Sequence, residues 1–439
     1  MDAGIVTLLL FGTFVVFLSL GLPIVFALGG VAMAFTLFLW GPGALYLIAS
    51  SAYGTMDNFL LTAVPLFIFM GYILQTSGIA DDFYDLMYSW MGPVRGGLAM
   101  GTIVICTVFA AMAGISGAAT VTMGVIALPA MLRRNYNKSI ALGSIVAGGA
   151  LGILIPPSLM MIVYGAMSGV SVGKLFMGGI LPGLLLSGLF ISYIAIRCLI
   201  QKELGPPLPV EERADWRKKL VSLKAVILPV LIILMVLGTI YKGVATPTEA
   251  AGMGAFGSLI AALVNRKLTW STLKASTTGS LRTSAMCLWL VISAYCFCSI
   301  YSGSGAKDLV LETLTGLPVN RYVVMVAIQC MLIILGMFLD PMGIIMIATP
   351  IFLPVITALG FDPLWFGILF TMNLEMAYLT PPLGFNLFYL KGVTPPSVTM
   401  ADIYRSVTPF VLLQALGLAI VVIYPQIALW IPSYMLLAK

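Results

Sequence analysis

Two short turns and two double prolines hold most of the chemistry this sequence could perform. At Gly114-Ile115-Ser116-Gly117 a break between apolar legs exposes helix ends, which offer carbonyls to cations or amides to anions. The Ser116 hydroxyl could serve as a Na+ ligand there, with Gly117, Ala118 and Thr122 following it; the same residues also suit a plain tight turn. The second turn, Asp340-Pro341-Met342-Gly343, sets a carboxylate between two long apolar legs. A carboxylate in such surroundings is expensive unless it meets a cation or a partner, which makes Asp340 the foremost single candidate. It also suits an N-cap for the returning leg, and the two roles are compatible. Gly152 leads into Ile155-Pro156-Pro157-Ser158, and Leu379-Thr380-Pro381-Pro382 is its counterpart. Proline lacks an amide donor and clashes with the preceding turn, so each pair either kinks a helix or frees carbonyls to bind a cation. Asn373, Glu375 and Asn386 flank the second pair, two amides and a carboxylate for substrate or ion, although Glu375 could instead pair with a basic residue.

Other chemistries fit less well. Gly114-x-Ser116-Gly117 matches the G-x-S-G of intramembrane serine proteases, but that chemistry pairs its serine with a histidine and this chain has none. Absence of histidine also removes the usual proton shuttle and tilts the coupling ion toward Na+. No G-x-x-x-x-G-K-[ST] phosphate loop is present, and no haem, flavin or nucleotide motif stands out, so no cofactor is expected beyond a coupling ion. Broken helices also line channels. The dissimilarity of the two turns favours an asymmetric carrier site over a ring-shaped pore. The six cysteines lack metal-ligand spacing and read as helix filler.

The elements that position these residues are membrane helices. Of 439 residues 61% are apolar and 9% charged, against about 25% charged in soluble domains. Apolar runs long enough to cross a ~30 Å hydrocarbon layer recur from Ile5 to Trp430. No cleavable leader is evident, so the mature chain is expected to begin near Met1. The net charge of +6 reflects orientation and not nucleic-acid binding. With the N-terminus outside, 17 of the 22 Lys and Arg fall on one face, leaving Lys174, Lys242, Lys307, Arg321 and Lys439 opposite. The first face is therefore cytoplasmic and both termini lie outside.

The chain is written twice. A shift of 225 residues lays Gly78 on Gly303, Pro93 on Pro318, Pro129 on Pro354, and Pro156-Pro157 on Pro381-Pro382. Each half reads as three crossings, an in-plane helix, a re-entrant hairpin whose legs are too short to span, then two crossings of which the first is broken. The first repeat is residues 1–200, with hairpin 95–133 and broken helix 138–168; the second is 221–439, with hairpin 320–359 and broken helix 362–391. Five crossings per half is an odd number, so the repeats are inverted, the architecture of secondary transporters. Residues 201–220 read as a solvated cytoplasmic linker. Ile79–Met91 places Ile79, Phe83, Met87 and Trp90 on one face and Asp81, Asp82 and Asp85 away from it, which suits a helix lying in the interface.

Taken with Pro65-Leu-Phe-Ile-Phe-Met-Gly71, Gly152-Ile-Leu-Ile-Pro-Pro-Ser158, Thr246-Pro-Thr-Glu-Ala250 and Leu379-Thr-Pro-Pro-Leu-Gly384 followed by Asn386-Leu-Phe388, the chain resembles the large membrane subunit of tripartite ATP-independent periplasmic (TRAP) transporters over essentially its whole length. The resemblance implies an all-helical, elevator-type Na+ symporter in a bacterial or archaeal cytoplasmic membrane. It implies an extracytoplasmic solute-binding protein and a small membrane subunit as partners, and a small organic anion, a carboxylate first, as substrate. The family's Na+-binding hairpin tips carry over to Ser116 and Asp340, with backbone near Pro156 and Pro381. Family members often have Ser after the Ser-Gly pair and an acidic or amide residue four positions on, where this chain has Ala118 and Thr122. Because the sequence opens directly on the large subunit, the small one is expected as a separate chain.

Overall fold

In the computed structural model, residues 3–114 and 116–435 are described, and the described part is helices joined by turns, with no strand. The Ile115 position of the first turn, the proposed start at Met1 and the outside assignment of Lys439 fall beyond these residues. Two helices, Ala3–Ser19 and Ile24–Trp40, open the chain. Leu45–Met56 forms a third before Ala63–Thr76. Ile79–Met91 is the expected amphipathic helix, and Lys267 ties it down through Asp82 at 2.6 Å. The long helix Trp270–Gly303 follows Pro247–Val264. Its end corrects one detail of the repeat: Gly305, and not Gly303, adopts the left-handed turn that Gly78 supplies in the first half.

The first hairpin is Gly97–Ala113 and Ser116–Arg133, the second Arg321–Gly336 and Pro341–Ala358. Both return legs have 18 residues and are, by length and composition, long and apolar enough to cross a membrane. They are two of seven helices of that kind among the described residues, or eight if the bent Trp216–Tyr241 stretch counts as one span. The broken helices are Lys138–Ala150 with Leu159–Ser168, and Pro363–Ala377 with Phe385–Lys391. Matching caps start them, Asn137 accepting from Ser139 N at 2.8 Å and Asp362 from Leu364 N at 2.7 Å. Such caps satisfy amides the first helical turn leaves bare. Capping boxes at Thr246/Glu249 and Thr399/Asp402 start two further long helices.

Residues 201–215, many of them exposed, are strapped to the fold. Backbone bonds run from Gly96 N to Gly205 O (2.9 Å), Asn137 N to Leu204 O (3.0 Å) and Leu208 N to Gly92 O (2.8 Å). Leu208 is buried, and Glu212 pairs with Arg134 and accepts from Tyr88 at 3.1 Å. The strap thus joins the foot of the first hairpin to the in-plane helix. Two turns with no strong hydrophobic pattern of their own could dock there because the hairpin ends leave unpaired amides for the linker carbonyls.

Candidate functional site: a hairpin tip against two broken helices

The first turn is built by Gly114, whose φ of +60° suits the absence of a side chain. A Cβ at that position would lie 2.8 Å from the Pro157 carbonyl oxygen, so the tip touches the first double-proline break. On the next turn of the hairpin, Ser116 is buried and its Oγ donates to Asn386 Oδ1 at 2.9 Å. Asn386 begins the short arm after the second double-proline break and donates its own amide to Val146 O at 3.2 Å. A Cβ on Gly117 would press within 2.8 Å of the Tyr389 ring, from the same arm. Behind the tip, Gly149 lies so close to Thr120 that a Cβ would fall 3.0 Å from the Thr120 Cα, locking the hairpin onto the first broken helix. One hydroxyl and one amide oxygen therefore meet across two elements, and the Pro157 carbonyl of a third lies against the neighbouring Gly114. These are hard oxygen donors of low total charge, a set suited to a monovalent cation. No cluster of His, Cys, Asp or Glu able to hold a transition metal occurs among the described residues.

At the second tip Asp340 caps Pro341–Ala358, its Oδ2 accepting from Gly343 N at 3.2 Å, as the cap reading expects. A Cβ on Gly343 would lie 3.1 Å from Ile24, which places the tip against the second helix of the chain. Met342 is buried in the same turn.

The remaining candidates are dispersed. Ser158 spends its hydroxyl on the Ile153 carbonyl, and Thr380 Oγ1 donates to Met376 O at 2.8 Å, so each caps a carbonyl near its own break. Gly152 lies in the turn Leu151–Ile153. Pro156 precedes Pro157 and Pro381 precedes Pro382 across cis bonds. Ala118 is partly exposed one turn from the tip, and Thr122 points away to Gln75, whose Nε2 donates to it at 3.2 Å. Asn373 and Glu375 sit on opposite faces of Pro363–Ala377, as their spacing of two on a helix requires. Asn373 donates to Gln329 at its carbonyl (2.9 Å) and its Oε1 (2.7 Å). Among the described residues Glu375 has no basic partner of the kind considered from sequence; Gln414 Nε2 donates to it at 2.9 Å. Sequence reasoning missed Gln329, Gln414, Tyr378 and Tyr389, single polar residues within apolar helices whose partners are set only by packing.

A buried, helical, multi-pass chain with such interrupted helices defines a membrane transporter component, and its relatives show which kind. The sequence matches the family described as "Tripartite ATP-independent periplasmic transporter, DctM component" over residues 11–427, and the chain belongs to that family. It is 32% identical to the C4-dicarboxylate TRAP transporter large permease protein DctM of Pseudomonas aeruginosa, covering 92% of this chain and 94% of that one. It is 34% identical to the isethionate TRAP transporter permease protein DctMQ of Oleidesulfovibrio alaskensis, covering 96% of this chain and 65% of that one. The ectoine TRAP transporter large permease protein TeaC of Halomonas elongata is 30% identical, with 97% and 98% covered. Among solved structures, the Alcanivorax borkumensis YdaH transporter shares the fold, with a TM-score of 0.66 at 14% identity over 99% of both chains. The chain is thus a permease subunit of a tripartite transport system and not an enzyme.

Proposed function

We propose that this subunit carries out Na+-coupled import of a small organic anion, in a bacterial cytoplasmic membrane, receiving its substrate from a periplasmic solute-binding protein and working with a small membrane subunit. The observation that carries this reading is the Ser116–Asn386 contact at 2.9 Å, which seals a hairpin tip from one half against a broken helix of the other. Ser116 Oγ, Asn386 Oδ1 and the Pro157 carbonyl would hold one Na+, and the Asp340 carboxylate at the second hairpin tip would contribute a further ion ligand. Bound Na+ supplies the positive charge that lets an anion settle beside two hairpins carrying no basic residue at their tips. The matched order of in-plane helix, hairpin and broken helix supports two inverted repeats, with hairpins and broken helices moving as a block against the remaining helices. An apolar groove of about 780 Å³ between the first helix and the second hairpin, lined by Phe11, Phe14, Met331 and Phe338, supports such sliding, since few polar contacts would have to break there.

The relatives' names span C4-dicarboxylate, isethionate and ectoine, so a carboxylate is the first substrate class to try and a sulfonate the second. The test is uptake of a panel of radiolabelled organic anions into proteoliposomes holding this chain and its small partner, with and without binding protein and an inward Na+ gradient. Accumulation that needs every component supports the reading. Gradient-independent leak would identify a channel instead.

A further inference from the structure

Glu375 and Gln414 form a polar pair unlike anything at the hairpin tips. Glu375 is 0% exposed and Gln414 1% exposed, so neither side chain reaches water or lipid headgroups. One hydrogen bond joins them, Gln414 Nε2 to Glu375 Oε1 at 2.9 Å. The two remaining oxygens, Glu375 Oε2 and Gln414 Oε1, both buried, have no hydrogen-bond partner. Both are acceptors, and two bare acceptors on one bonded pair of side chains are stable only if something positive or a donor sits between them.

Among the described residues no cation supplies it. The helices packed on Pro363–Ala377 carry Lys174, Tyr193 and Arg197, Arg321 and Tyr322, Tyr164, and Asp402, Tyr404 and Arg405, and none interacts with the Glu375 carboxyl. Tyr164 instead bonds to Pro363 O at 2.9 Å, and Arg321 lies over Tyr322 and Phe361. An ionised carboxylate with one amide donor and no counter-charge is far costlier to bury than a neutral acid. A carboxylic acid facing a primary amide closes a ring of two hydrogen bonds, one in each direction, using all four polar atoms.

We propose that Glu375 and Gln414 make a proton-binding site, in which Glu375 is held as the neutral acid, its proton acquired from bulk solvent hydronium before the pair is closed off, and Oε2–H donates to Gln414 Oε1. The ring pins the first arm of the second broken helix to Met400–Ile423, a join that a charged or metal-bound carboxylate would not make in this form. It does not depend on the Na+ reading: the pair stands on its own geometry, and its ligand is a proton.

Infrared difference spectra of the purified full chain in lipid, recorded in H2O and D2O, test this directly. The expected result is a C=O stretch of a protonated carboxylic acid, shifted by deuterium and missing from Glu375→Gln. Glu375→Gln restores a two-bond ring as an amide pair, so its apparent melting temperature should stay within about 2 °C of the parent, whereas Gln414→Leu should fall by about 3 °C or more. A spectrum in which Glu375→Gln removes only carboxylate bands would overturn the proposal. So would a Glu375→Gln variant that loses a stabilisation by Na+ shown by the parent, because the pair would then hold a metal cation.

Discussion

At the scale of single residues, Ser116 and Asn386 lie 270 positions apart and meet at 2.9 Å, and this contact gives the tip its polar character. A buried hydrogen bond of this kind is worth about 1 kcal/mol net, and removing one partner exposes the other to a desolvation penalty of about 1–3 kcal/mol. On the proposed reading both groups also ligate Na+, so Ser116→Ala should raise the Na+ concentration for half-maximal uptake by about tenfold, 1.4 kcal/mol being a factor of ten. An unchanged Na+ requirement in a Na+ titration of initial uptake rates would remove Ser116 from the site. The residue types were readable in sequence, because a serine between glycines and an acid in an apolar run are out of place locally. Their partners were not: nothing near Ser116 points to Asn386, and nothing near Glu375 points to Gln414, because amides in long apolar helices have no sequence periodicity that reveals which neighbour they face.

At the scale of elements, breaks and hairpins were legible because proline, glycine and capping residues act within a few positions of themselves. The 225-residue register held at both double prolines and failed at Gly303, where the left-handed turn moved to Gly305. The strap at residues 201–215 was not legible, since it follows from what docks on it. The strap makes a prediction about acid. Arg134, first, and then Tyr88 hydrogen-bond Glu212 and hold its carboxyl below the usual glutamate range. A depressed carboxylate contributes stability that is present above its unfolded value, about 4.3, and is lost as pH falls through the lower folded value. Protease cleavage between residues 205 and 215 should therefore stay slow from pH 7 down to about 5 and accelerate below about 4, and Glu212→Gln should cleave quickly at every pH. Acid-independent cleavage of the parent would show that the ion pair does not hold the strap.

At the scale of the whole molecule, the account rests on a block of hairpins and broken helices sliding past the other helices. Gln75 and Thr122 bridge that boundary at 3.2 Å. Oxidative crosslinking of Gln75→Cys with Thr122→Cys should therefore cut uptake by about tenfold or more, restored by reduction. Full uptake in crosslinked protein would show that this boundary does not move. The central claim is coupling, and the most direct measurement follows radiolabelled Na+ and radiolabelled substrate together in proteoliposomes containing this chain, its small partner and the binding protein. The account predicts Na+ entry only when substrate and binding protein are both present, in fixed proportion to substrate entry. Substrate that accumulates while no Na+ moves would contradict it.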